Sequence, residues 1–157
     1  MDKDRRRLLG IYLNDHLAVA TASLGRARST RDASRGMDFV GPLTSLCREL
    51  ESDLAALEAI MRDLGVERSR LKPSLAAIGE KAGRLKPNGQ LRGYSPLGRI
   101  IDLEFLVLAT TGKLRLWNLL KALAAAETSA DLDELIRRAG DQRTAVEELQ
   151  LRAAALL

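Results

Sequence analysis

Apolar positions recur at three- and four-residue steps along four stretches of the chain, and clusters of turn residues separate those stretches. That period belongs to the α-helix, where residues i, i+3, i+4 and i+7 share one face. Helix A is expected over residues 4–28. Its middle, LLGIYLNDHLAVATASL, is apolar almost all round and is broken only by Asn14, Asp15 and His16. Ser29, Thr30, Asp32, Ser34 and Gly36 then read as a polar loop, and Gly41-Pro42 marks the next start. Helix B follows over 42–64, with Leu43, Leu46, Cys47, Leu50, Leu54, Leu57, Met61 and Leu64 on one stripe. Pro42 suits a first turn and Gly65 a C-terminal cap. The outer face of helix B is expected to be acidic, carrying Glu49, Glu51, Asp53, Glu58 and Asp63.

Ser95-Pro96 signals the start of helix C, over 96–125. Within it IIDLEFLVLATT (100–111) is a second apolar run, interrupted by Asp102 and Glu104. Helix D begins after a cap at Thr128 or Ser129. It carries Leu132, Leu135, Ile136, Ala139, Gln142, Val146, Leu149, Ala153 and Leu156 on its stripe. Helices C and D are joined by a short gap, B and C by the long segment 65–96. A helix of about 22 residues spans about 33 Å, so a connection of that length can travel the whole bundle and leave B and C parallel. The pattern therefore predicts an all-α fold: a ferritin-like four-helix bundle with one long B–C crossover, containing a short extra helix near 73–83. Residues 1–157 form one domain.

Composition agrees with helices. Aromatic residues are 3% of the chain, so the core must be aliphatic and small-residue packed. Cys47 is the one cysteine, which excludes an intrachain disulfide and suits a reducing compartment. Arg5, Arg6 and Arg7 before an apolar run resemble a secretory signal, but Asn14-Asp15-His16 would spoil its apolar core. The same trio, like Asp102 and Glu104, argues against a membrane span. A cytoplasmic protein is the expectation. The net charge of +4 alternates in sign along the chain, with 65–99 the most basic segment and 37–64 the most acidic. Basic segments packing against acidic ones explain this more simply than a nucleic-acid surface, for which no motif is present. Helix A lacks a polar face and must be covered, by the crossover helix or by a second subunit; a homodimer is expected.

The stretches YLNDHLAVATASLGRARS (12–29) and IGEKAGRLKPNGQLRGYSPLGRIIDLE (78–104) resemble a family of small bacterial helical proteins of actinobacterial type. The resemblance implies an all-α domain. It implies no activity, because none is established for that family.

Buried carboxylates need partners, whether cations, hydrogen bonds or metal. A ferritin-like di-iron centre needs Glu-x-x-His on two helices. Glu51 is followed at that spacing by Leu54 and Glu147 by Gln150, while the one histidine, His16, lies on helix A. No metal and no cofactor are therefore expected. A reduced site of His16, Glu104 and Glu51 remains the alternative, since apolar neighbours flank His16 and Glu104 and point both inward. Acid–base chemistry by Asp15, His16, Asp102 and Glu104 is conceivable on the same ground. Against these stands a structural pair, His–Glu or Asp–Arg, that fixes helix register. The loop KPNGQLRGYSP (86–96) lacks the phosphate-loop pattern. If it holds an anion, the start of helix C is the anchor; otherwise Lys86, Arg92 and Arg99 face acidic helix B. The functional expectation is a non-enzymatic bundle acting through protein–protein contact or self-association.

Overall fold

The computed structural model describes residues 2–69, 94–124 and 127–157. Four helices occupy most of them: α1 (Lys3–Ala33), α2 (Val40–Asp63), α3 (Pro96–Ala124) and α4 (Leu132–Ala154), and the described residues include no strand. The short helix expected at 73–83 lies outside the described residues.

Local chemistry sets the ends. Asp2 caps α1 by accepting from the Arg5 amide at 2.8 Å. α1 continues to Ala33 instead of stopping at Arg28, because Thr30 is part of the packed helix. Its side chain is buried and its hydroxyl donates back to the Arg26 carbonyl at 2.9 Å. Gly36 (φ +82°) then makes the turn that a residue with a Cβ would resist. Gly65 closes α2 in the same left-handed conformation, φ +64°. Ser95 caps α3 through the Gly98 amide at 2.9 Å. The cap of α4 is Asp131, which accepts from the Glu134 amide at 3.0 Å, and not Thr128 or Ser129. Those two bind Asp63 at the end of α2 instead, with the Thr128 hydroxyl at 3.0 Å and the Ser129 amide at 3.1 Å.

Cross-helix contacts give the directions. Arg26 of α1 meets Asp102 of α3, while His16 packs beside Gly112, so α1 and α3 run antiparallel. Arg28 pairs with Glu51 and Gly10 sits by Val66, so α1 and α2 are antiparallel as well. α2 and α3 accordingly run parallel: Phe39 meets Arg99 near one end and Asp53 meets Lys113 in the middle.

The apolar core falls into two clusters. One joins Leu9, Leu13, Leu17, Leu57, Ile60, Leu116, Trp117, Leu120 and Leu135. The other joins Leu24, Ala27, Leu43, Leu46, Leu50, Leu103, Leu106, Val146 and Leu149. Each is a mainly aliphatic interior, to which the stripes expected on helices B and D contribute. The residues missing between them along α2, α3 and α4 are Asp53, Lys113 and Gln142, all buried. A polar layer cuts the core in two.

Candidate functional site: a polar layer and its cavity

Asp53 occupies a core position of α2, between Leu50 and Leu57, and is 3% exposed. This corrects its placement on the acidic outer face. Its Oδ2 accepts from Lys113 Nζ at 2.5 Å, and its Oδ1 accepts from Arg138 of α4. Lys113 also donates to Gln142 Oε1. Three helices thus join through one carboxylate and one ammonium group. Burial pulls the Lys113 amine below its usual range, and the neighbouring Asp53 carboxylate partly restores it.

α1 contributes small side chains at this level, and they leave space. A cavity of about 30 Å³ is lined by His16, Ala20, Ser23, Asp53, Lys113 and Trp117, with Val19, Leu50, Leu57, Ala109, Thr110 and Leu116 completing the wall. One water needs ~10–15 Å³, so the space is the equivalent of about two or three waters. Buried donors are left over here. Trp117, 1% exposed, has no hydrogen-bond partner for Nε1, and Gln142, 2% exposed, has none for Nε2. A buried donor without a partner costs about 1–3 kcal/mol.

His16 borders this cavity half-buried, with the Tyr12 ring edge-on at 4.5 Å between centroids. Burial lowers its pKa, against the opposing effect of Asp15, so the imidazole is neutral at pH 7.

Near one end of the bundle lies a second polar cluster. Asp102 accepts from Arg26 Nη1 at 2.7 Å and from the Tyr94 hydroxyl at 2.6 Å, and the Thr30 hydroxyl lies 3.3 Å away. Burial and the hydrogen bond to Asp102 push the Tyr94 phenol well above its usual range. Buried Arg99 donates to Ser34 Oγ at 3.2 Å, and its guanidinium lies 5.1 Å from the Phe39 ring and 4.9 Å from the Tyr94 ring. It therefore does not face the acidic side of α2 as expected; Lys86 and Arg92 lie outside the described residues.

The remaining sequence candidates do not converge. Glu104 is exposed, because the buried stripe of α3 runs through Leu103, Leu106, Thr110, Lys113, Trp117 and Leu120 and leaves Glu104 on the opposite side. Apolar neighbours misled here: Ile101 and Leu108, which flank it, are themselves exposed. Glu51 is exposed and pairs with Arg28 at 2.6 Å. Asp15 is exposed, while Asp102 belongs to the Arg26 cluster, so no acid–base group assembles around His16 from these residues. Among the described residues no three His, Cys, Asp or Glu side chains gather as a metal ion would require. Cys47 is buried, and burial raises its thiol pKa.

Sequence reasoning missed Asp53 and Lys113 as site residues. Asp53 lies three residues after Leu50 and four before Leu57, a spacing that admits an inward side chain as well as Leu54 does, and Gln142 stood on the expected stripe of α4; no stripe singled out Lys113. Comparison of the chain with protein-family models, with curated proteins and with solved structures finds no match. The described residues form four long helices and no strand, and among them no helix is long and apolar enough to cross a membrane.

Proposed function

We propose that this is a non-enzymatic helical bundle that acts by associating with a second copy of itself across the seam between α1 and α3. One observation carries the reading. Leu8, Ile11 and Val19 on α1, and Leu97, Ile101 and Leu108 on α3, are exposed, Leu108 by 66% and Leu8 by 57%. Both sets follow helical spacing, and the contacts of His16 with Gly112 and of Arg26 with Phe105 put them beside one seam. Because α1 and α3 are antiparallel, a two-fold axis through the middle of the seam would bring Leu8 and Ile11 of one copy over Leu97 and Ile101 of the other. Isologous pairing of that kind needs no second surface.

Size exclusion with light scattering at micromolar concentration tests it. The wild type should give a dimer mass and Leu108→Glu a monomer mass. A monomeric wild type would contradict the reading.

The ferritin-like architecture belongs to this proposal, and the parallel run of α2 and α3 supports it. So does membership of the small bacterial helical family suggested by 12–29 and 78–104, and a cytoplasmic location, which suits a lone buried cysteine. The Arg26–Asp102 pair serves in it as the device that fixes helix register.

The cavity favours a second reading, in which the bundle also holds a small ligand near His16. Glu104, being exposed, takes no part in that version.

A further inference from the structure

The second reading can be carried to a ligand class. We infer that the cavity between α1, α2 and α3 is a binding site for a short monocarboxylate of formate or acetate size, held by Lys113 and the Trp117 indole N–H.

Three features of the layer converge on that class. The first is unspent donor capacity. Lys113 has three N–H donors and uses two, on Asp53 and Gln142, while Trp117 Nε1 uses none. Both residues line the cavity. The Ser23 and Thr110 hydroxyls already donate to backbone carbonyls, of Val19 at 2.7 Å and of Leu106 at 2.8 Å. The wall is thus richest in unsatisfied donors and asks for an acceptor.

The second is charge. Within hydrogen-bond reach one carboxylate, Asp53, faces two cations, Lys113 and Arg138. Glu49 acts on Lys113 only through space and is the weakest of its influences. An anion beside Lys113 offsets the surplus. Asp53 also lines the cavity, yet each of its oxygens is occupied by one of the two cations.

The third is shape. The space of about 30 Å³ accommodates a carboxylate head but no aromatic ring, which needs a cavity of ~150 Å³. Ala20, Leu50, Leu57, Ala109 and Leu116 present apolar wall to whatever lies behind that head. A methyl group suits them, whereas a second water would be left with few partners.

This inference rests on the small-ligand reading and is independent of the dimer. Trp117 is the one tryptophan in the chain, so its emission reports the site without a label. Titration with sodium acetate and sodium formate at fixed ionic strength should change that emission saturably, and sodium chloride should not. Lys113→Met should abolish the change. Ala20→Leu, which fills the cavity from its α1 wall and leaves the polar layer intact, should abolish it too and stands in if Lys113→Met fails to fold by circular dichroism. A flat acetate and formate titration, an equal response to chloride, or a response that survives in folded Lys113→Met overturns the assignment. Native mass spectrometry of the protein as purified separates the two levels. With a flat titration, a stoichiometric small adduct sinks only the carboxylate, while a bare mass sinks the ligand-site reading with it.

Discussion

The two polar clusters of this bundle use similar charges and end differently. In the outer one, Asp102 faces Arg26 and the Tyr94 hydroxyl, and aromatic rings fill the room around the cations: Phe39 and Tyr94 cover Arg99, and Phe105 lies 5.9 Å from Arg26. In the inner one, Asp53 faces Lys113 and Arg138, but the neighbouring side chains of α1 and α3 are Ala20, Ser23 and Ala109, and a cavity results. Flat aromatic faces accept a guanidinium and take up volume at once. Small residues do neither. In the inner layer the rings of Trp117 and His16 border the cavity without filling it, and that layer keeps unpaired donors. The outer cluster is also not perfect, since Arg26 Nε lacks a partner; the difference lies in space more than in hydrogen-bond count.

Breaking the inner layer should have the largest effect. Asp53→Ala strands two cations, one of them deeply buried, and should lower the unfolding free energy by about 3–5 kcal/mol in urea titrations. Asp102→Ala removes the acceptor of the outer cluster, where Arg26 still reaches solvent and Arg99 retains its rings. It should cost less, about 1.5–3 kcal/mol. Equal losses, or the reverse order, would break the comparison.

The smallest effect sharpens it at the cavity mouth. Burial lowers the His16 pKa, with Asp15 opposing. Between that lowered value and the unfolded value of about 6.5, the unfolded chain binds more protons. Stability therefore rises with pH through this window and falls as pH drops through it. Above the window the imidazole is neutral in both states, and below it charged in both, so the contribution is flat. His16→Leu should flatten the dependence just below pH 6.5, read from thermal midpoints at several pH values. An unchanged slope would show that His16 is solvated as in the unfolded chain.

Much of this architecture was legible in the sequence. The stripes from Leu43 to Leu64 and from Leu132 to Ala153 became buried faces, with Leu54 and Ile136 only partly covered and Leu156 exposed past the end of α4, and Ser95 and Gly65 cap where their chemistry indicated. Reading failed where a residue's own polarity was trusted over its position. Thr30 looked like loop but sits inside α1, and Asp53 looked like surface but sits in the core. Glu104 failed in the opposite sense. Periodicity finds an inward position only if the apolar neighbours are themselves inward, and around Glu104 they line an exposed face. His16 was singled out for partners that lie elsewhere, and it borders the cavity instead. The cavity could not have been read at all, since it depends on Ala20, Ser23 and Ala109 coming to one level from two helices.

The indole N–H of Trp117 tests the central contrast most directly, because a proton–nitrogen correlation spectrum contains a single such peak. An open inner layer predicts a peak protected from exchange that moves in Lys113→Met and on adding acetate, and holds still in Asp102→Asn. A peak indifferent to both Lys113→Met and acetate, or one displaced by Asp102→Asn, would contradict the account.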